Sequence, residues 1–334
     1  MLRMPEFAVH QPTSAAEAVQ LHAELPGAMY IAGGTDLLPN LKHHLHAPEH
    51  LISLSRLPLA GISADGGALT IGAGTSLQDI ADSEVVRSHA PALALAASVV
   101  AGPQHRRMGT LGGNVMLDTR CLYYNQTATW RTALGFCLKK DGDWCHVVQS
   151  GKTCVAAQSA DTVPVLIGRD AHLRVLTVDG ETAVSMRKLY RQDGRCGNAH
   201  VLDSGALLTA IEIPAAAEGR CGTYRKVRSR GAVDFPQLAL ALHATIDGDE
   251  ATDVELVVGA LLPKPKRVRL ADRCGLEDTE IEGLAASAHR RIRPQANIHG
   301  DPAWRRHMVR VEVARGLRAL RDDPTARIHP STDG

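Results

Sequence analysis

The chain has 334 residues, of which 44% are hydrophobic and 22% charged, a composition typical of a soluble globular protein with room for two domains. Because 37 basic residues nearly balance 36 acidic ones, the net charge of +1 gives no electrostatic basis for binding nucleic acid or a membrane surface. No apolar run reaches the roughly 18 residues that span a bilayer, and the start of the chain lacks the apolar core of a signal peptide. We therefore expect a cytoplasmic protein whose seven cysteines are metal ligands or free thiols rather than disulfides.

The first part of the chain alternates helix and strand signals. Ser14 and Glu17 form a capping box, which predicts a helix that continues to about Leu25. Beyond it, the pattern predicts a strand at 29–32, a helix or loop at 37–42, a strand at 68–74, helices at 76–81 and 91–101, and strands at 163–167 and 172–178.

A second region follows the short apolar segment at 211–214. Residues 215–222 have the composition of a linker and predict a domain boundary. After it, the pattern predicts strands at 224–227 and 252–258 and a closing helix at 302–321. Together these elements favour an α+β fold with two domains, one at 1–217 and the other at 218–325.

Glycine pairs occur at 33–34, at the end of a predicted strand, and at 112–113, in a glycine-rich stretch at 102–114. Without a Cβ atom, a glycine pair lets backbone N–H groups approach an anion closely, so two such turns are suited to the two phosphates of a dinucleotide. The alternative is that each pair only connects neighbouring elements. A third glycine-rich stretch at 72–74 fails the dinucleotide-binding fingerprint and gives no support for a Rossmann domain.

Four of the seven cysteines, namely Cys121, Cys137, Cys145 and Cys154, fall in one window. Their spacing differs from the tight pairs of zinc ribbons and from the short runs of bacterial ferredoxins. Aromatic residues, only 3% of the chain, gather in the same window, which indicates a folded unit. From spacing alone, zinc, an iron–sulfur cluster and scattered free thiols all remain open.

Two motifs resemble the flavin-binding loops of the FAD subunit, or FAD domain, of the xanthine oxidase family of molybdenum hydroxylases. The first comprises Ala32, Gly33, Gly34, Thr35, Asp36 and Leu37, and the second Thr110, Leu111, Gly112, Gly113 and Asn114. The opening helix, residues 224–228 and 234–236, and the closing helix are also similar to this family, so that the resemblance covers nearly the whole chain. It implies a vanillyl-alcohol-oxidase/PCMH-type FAD-binding domain followed by a C-terminal α/β domain like that of the CO dehydrogenase flavoprotein.

The resemblance also implies which residues bind FAD. It assigns pyrophosphate and flavin contacts to residues 32–37 and to Thr110, Gly112, Gly113 and Asn114. Asp161 matches an acidic residue near the FAD ribose, although a helix or turn cap is the alternative. Lys226 matches a basic position near the flavin, although it could equally be a solvated surface charge.

The cysteines lie on an insertion at about 118–157 that resembles the corresponding loop in the FAD subunits of 4-hydroxybenzoyl-CoA reductases. The similar stretches are residues 118–121, 124–126 and 145–148. This resemblance implies a [4Fe–4S] cluster with Cys121, Cys137, Cys145 and Cys154 as ligands.

By resemblance, the chain is an electron-transfer subunit without catalytic residues of its own. Electrons from reduced ferredoxin would pass through the cluster and FAD to a small [2Fe–2S] subunit and a large molybdenum subunit, for reductive dehydroxylation to benzoyl-CoA in anaerobic aromatic degradation. The complex would be a dimer of three-subunit protomers. The alternatives are a related hydroxylase acting on another aromatic or heterocyclic substrate, and a flavoprotein with a structural zinc site.

Overall fold

A computed structural model describes residues 2–191, 202–203 and 205–323, and within them twelve strands form three sheets against which twelve helices pack. The strands are β1 (Ala8–His10), β2 (Met29–Ile31), β3 (His50–Ser53), β4 (Ile62–Asp65), β5 (Ala68–Gly72), β6 (His172–Thr177), β7 (Gly180–Ser185), β8 (Leu207–Ile213), β9 (Arg220–Val227), β10 (Leu238–Asp247), β11 (Glu250–Gly259) and β12 (Lys266–Gly275). The helices are α1 (Ala15–Glu24), α2 (Leu37–Lys42), α3 (Leu77–Asp82), α4 (Glu84–His89), α5 (Pro91–Ser98), α6 (Pro103–Met108), α7 (Leu111–Val115), α8 (Ala128–Ala133), α9 (Val163–Gly168), α10 (Met186–Leu189), α11 (Asp278–Arg291) and α12 (Pro302–Asp322).

Two sheets belong to the first part of the chain. A parallel three-stranded sheet has the order β1-β3-β2, and an antiparallel five-stranded sheet has the order β4-β5-β8-β6-β7. Strand β8 pairs with both β5 and β6, so it joins the segments before and after the cysteine window. The predicted capping box is confirmed, because the Ser14 hydroxyl accepts a hydrogen bond from the Glu17 N–H at 3.1 Å.

The strand predicted at 163–167 is wrong, because this segment forms α9. All six residues of the helix are buried. A short, fully apolar run lacks the periodicity that separates a buried strand from a buried helix. Pro164 in the first turn was the available signal, since proline fits there without losing a helical hydrogen bond.

The antiparallel sheet of the second region, ordered β12-β11-β10-β9, is buried on both faces at β10. Leu238, Leu240 and Leu242 pack in the core formed with α11 and α12, while Ala239 and Ala241 join the core of the first region. Alternate side chains of a strand point to opposite faces, so the leucines of β10 pack on one face of the sheet and its alanines on the other. The core of the first region therefore includes side chains from the sheet of the second region. The fold class predicted from the sequence is confirmed.

Among the described helices, none combines the length and the apolar character needed to cross a membrane.

Candidate cofactor sites

A cavity of about 790 Å³ lies where the two glycine-containing loops meet. Its size falls in the range of roughly 300–1,000 Å³ that ligand pockets occupy. Of the residues predicted to bind FAD, all but Lys226 line this flavin cavity: Ala32, Gly33, Gly34, Thr35, Asp36, Leu37, Thr110, Gly112, Gly113, Asn114 and Asp161. The structure thus brings together residues that lie more than a hundred positions apart in the chain.

The first glycine loop connects β2 to α2 and leaves its backbone amides free. In the described part of the chain, the N–H groups at 33–36 donate to no protein acceptor. A Cβ atom on Gly33 would overlap the carbonyl oxygen of Met108, and Gly34 has a φ of +70°, which only glycine adopts without strain. Free amides beside a large cavity fit the chemistry of a pyrophosphate group.

The second glycine loop forms α7, and its amides already donate within the protein. The Gly113 N–H donates to Thr110 Oγ1 at 3.1 Å, and the Gly112 N–H donates to the Ala73 carbonyl at 2.8 Å. The Asn114 N–H donates to the Thr110 carbonyl at 2.9 Å, and its side-chain oxygen accepts from the Thr162 hydroxyl at 2.7 Å. This loop therefore supplies a fixed wall of the cavity, and the free N–H groups come from the first loop.

Asp161 lies at the cavity wall in a buried polar group with Tyr224 and Lys226. Its two carboxylate oxygens accept hydrogen bonds from the Tyr224 hydroxyl at 2.6 Å and the Lys226 ammonium at 3.0 Å. Burial raises the pKa of the Asp161 carboxyl, while Lys226 and Tyr224 act against that rise. Lys226 lies behind Asp161, where its ammonium also donates to the Val99 carbonyl at 3.0 Å. The lysine thus fixes the orientation of the carboxylate that faces the cavity.

Sequence reasoning missed the contact of Arg120 with Asp36 and Phe235. The Arg120 guanidinium forms an ion pair with Asp36 of the first glycine loop and lies 4.0 Å from the centre of the Phe235 ring. All three residues line the flavin cavity, and they come from the first loop, the cysteine window and the second region. The scarcity of aromatic residues was the available signal for Phe235. His105 and Arg107, next to the second loop, line the cavity as well.

The four predicted cysteine ligands line a second, much smaller cavity of about 20 Å³. Cys137, Cys145 and Cys154 are buried, and Cys121 is partly exposed. Burial raises the pKa of the Cys121 thiol to about 11 and also raises the pKa of Cys154, so both are neutral thiols at pH 7 when nothing is bound. Metal binding would release their protons.

The thiols share this cysteine cavity without meeting at one point. Among the described residues, no three His, Cys, Asp or Glu side chains are placed to hold one metal ion together. Cys221 and Cys274, in β9 and β12, belong to a different part of the molecule, and Cys196 lies outside the described residues.

The cysteine cavity is anchored to both regions of the molecule. Arg120 and Ala157 exchange two backbone hydrogen bonds of 2.7 Å, which close the neck of the window. Asn297 is fully buried, and its backbone carbonyl accepts a hydrogen bond from the Leu122 N–H at 2.9 Å. Its side-chain amide nitrogen donates to the Val155 carbonyl. Leu122 and Val155 each adjoin a cysteine of the cavity, so the second region holds both ends of the window in place.

Comparisons with known proteins agree with this arrangement. Residues 5–216 match the family model described as the FAD binding domain in molybdopterin dehydrogenase, and residues 222–320 match the CO dehydrogenase flavoprotein C-terminal domain. The chain is 31% identical to the aldehyde oxidoreductase FAD-binding subunit PaoB of Escherichia coli, over 86% of this chain and 92% of that subunit. It is 27% identical to the carbon monoxide dehydrogenase medium chain of Hydrogenophaga pseudoflava, over 94% and 97%. The solved structure of the Hydrogenophaga enzyme superposes with a TM-score of 0.76 at 24% identity, covering 95% of this chain and 98% of that one.

Proposed function

Because the chain belongs to the family with the FAD-binding domain of molybdopterin dehydrogenases, we propose that it is the FAD-carrying electron-transfer subunit of a three-subunit molybdenum complex that also binds a [4Fe–4S] cluster. The proposed partners are a large molybdenum subunit and a small [2Fe–2S] subunit. Bound FAD supplies one- and two-electron exchange, and the protein binds and orients it. This chain has the task of accepting electrons and passing them on, and substrate chemistry belongs to the large subunit.

The observation that carries the cluster proposal is the gathering of Cys121, Cys137, Cys145 and Cys154 on one cavity. A single zinc ion with Zn–S distances of about 2.3 Å requires all four sulfur atoms to converge on one point. A [4Fe–4S] cluster binds each thiolate to a separate iron atom, so the sulfur atoms stand farther apart around a shared space. The four thiols on one cavity support a four-thiolate site, and the resemblance to the FAD subunits of 4-hydroxybenzoyl-CoA reductases favours a cluster over zinc.

We propose that the complex resembles 4-hydroxybenzoyl-CoA reductase and uses reduced ferredoxin as its electron donor. The support is the cysteine window itself, which gives the subunit a second redox site next to FAD and thus a way to take up electrons one at a time. The second candidate is a complex that oxidises an aldehyde or a heterocyclic substrate, and the 31% identity to the aldehyde oxidoreductase subunit favours it.

Metal and sulfide analysis of the anaerobically purified chain tests the cluster. We expect about four irons with acid-labile sulfide per FAD. Cys137→Ser should abolish the iron signal and leave most of the FAD bound, since Cys137 does not line the flavin cavity. Cys221→Ser, remote from both cavities, is the matched control and should retain iron and FAD. One zinc per chain without sulfide would contradict the proposal.

Turnover assays separate the two candidate complexes. The subunits that co-purify with this chain are tested with 4-hydroxybenzoyl-CoA plus reduced ferredoxin, and with aromatic aldehydes plus an oxidised acceptor. Reduction of the thioester substrate supports the reductase, and oxidation of the aldehyde alone supports the second candidate.

A further inference from the structure

A single ion pair lies between the flavin cavity and the cysteine cavity. Asp118 lines the flavin cavity and Lys139 lines the cysteine cavity. The Lys139 Nζ atom lies 2.8 Å from Asp118 Oδ2. The wall between the two sites therefore carries a negative charge on its flavin side and a positive charge on its cysteine side.

The Lys139 ammonium is held firmly in this wall. Its side chain is only 1% exposed, and its nitrogen donates to the Thr119 carbonyl at 2.9 Å and to Thr119 Oγ1 at 2.5 Å. Its contact with Asp118 is an ion pair without hydrogen-bond geometry. Two of the three N–H donors of the ammonium are therefore used by Thr119. The aromatic ring of Tyr124, 4.3 Å from the nitrogen, covers the group further.

The backbone on both sides of the pair is also fixed. The Cys137 and Lys140 backbones exchange two hydrogen bonds, of 3.3 and 2.8 Å, in a tight turn that directs Lys139 into the wall. The other oxygen of Asp118 accepts from the Thr119 N–H at 2.7 Å. Lys139 would have to break two hydrogen bonds and its ion pair to turn into solvent, and Asp118 would have to break one hydrogen bond and the same ion pair, so both charges act on the two cavities from defined positions.

Fixed buried charges act strongly on a neighbouring redox group, because little water screens them. A group held by four thiolates is negatively charged, and reduction adds one more electron. A positive charge beside it stabilises the reduced form, and a negative charge beside a flavin destabilises the reduced, more anionic form.

We propose that the Lys139–Asp118 pair sets the reduction potentials of the two sites in opposite senses: Lys139 raises that of the cluster, and Asp118 lowers that of the flavin. This inference rests on the proposed function, because it requires a cluster on the four cysteines. Lys139 thereby favours the uptake of an electron from outside, and Asp118 makes the reduced flavin a stronger donor toward the next subunit. The transfer from the cluster to the flavin, which lies between these two steps, becomes less favourable.

Redox titration of the full-length chain, followed by optical and EPR spectroscopy, tests the pair. Lys139→Met should lower both potentials, with the larger shift at the cluster. Asp118→Asn should raise both, with the larger shift at the flavin. Lys140→Met is the matched control, because this neighbouring lysine is 37% exposed and solvent screens its charge; its shifts should be smaller than those of Lys139→Met.

Shifts of opposite sign in the reduction potentials of the two variants indicate an electrostatic role. A structural loosening of the wall would instead shift the potentials of both variants in the same direction. The inference would be overturned if Lys139→Met and Asp118→Asn shifted the potentials with the same sign, or if their shifts were no larger than those of Lys140→Met. If Lys139→Met does not retain iron, the sign of Asp118→Asn decides: a raised flavin potential supports the inference, and an unchanged or lowered one overturns it. Wild-type protein without iron and sulfide would overturn the proposed function and this inference together, whereas wild-type protein with its cluster and unresponsive variants would overturn the inference alone.

Discussion

The two glycine pairs on the flavin cavity have the same composition and opposite hydrogen-bonding states. Within the described residues, the backbone amides at 33–36 have no protein acceptor, whereas at 112–114 every amide donates to Thr110 or Ala73. Glycine is needed in both loops for close approach, of Gly33 to the Met108 backbone and of Gly112 to Ala73. A glycine pair thus predicts tight backbone packing, and only the hydrogen bonds around it tell whether its amides are available to a ligand.

Gly33→Ala should have the largest effect in this comparison. The new Cβ would overlap the Met108 carbonyl, so the first loop or the segment before the second must move, at a cost of about 3 kcal/mol. If that cost falls on the flavin site, FAD binds roughly 100-fold more weakly. Flavin titration by fluorescence quenching measures this affinity for FAD. Affinity within about threefold of wild type would show that the first loop does not hold the cofactor.

Gly112→Ala should reduce stability more than flavin affinity. Its Cβ would stand 2.8 Å from the Ala73 Cβ and 2.9 Å from the Ala73 carbonyl oxygen, which predicts a loss of about 1–3 kcal/mol in the free energy of unfolding. Gly113→Ala is the matched control, because its nearest neighbour is Thr110 Oγ1 at 3.2 Å and alanine favours a helix. Denaturant unfolding and flavin titration together measure both quantities. A variant at 112 that loses FAD while keeping its stability would remove the distinction between the loops.

Thr110→Val should have the smallest effect. The threonine hydroxyl caps α7 by accepting from the Gly113 N–H, and loss of such a cap costs about 1 kcal/mol. Thr110→Ser keeps the hydroxyl and should retain most of the stability. Because the Gly113 amide is bonded within the wild-type protein and the free amides of the first loop are unchanged by the substitution, flavin affinity should stay within about twofold. A large gain in affinity would mean that the second loop also offers amides to the cofactor.

Local chemistry was enough to find the loops and the cysteines. Gly33, Gly112 and the four cysteines carry signals within a few residues of sequence, and the structure places them at two adjacent cavities. Whether these residues bind FAD and a cluster stays a prediction that the experiments above test.

Long-range contacts were beyond the sequence patterns. Arg120 meets Asp36 and Phe235, and Lys139 meets Asp118, through pairings that no periodicity encodes. The helix α9 was missed for a related reason, since an entirely buried segment has no polar face to reveal its period. The hydrogen bond of the Gly112 amide in the second loop was likewise not predictable from local sequence, because its acceptor is the carbonyl of Ala73, far away in the chain.

The clamp formed by Asn297 imposes an order of events during synthesis of the chain. Asn297 lies 142 residues beyond Val155, whose carbonyl it holds, and a ribosome needs on the order of ten seconds to cover that distance. Until then, both ends of the cysteine window lack their hydrogen bonds to Asn297, and only the bonds between Arg120 and Ala157 close its neck. The cysteine cavity therefore reaches its final shape only after the second region has emerged, and loading of the proposed cluster would follow as a late, post-translational step.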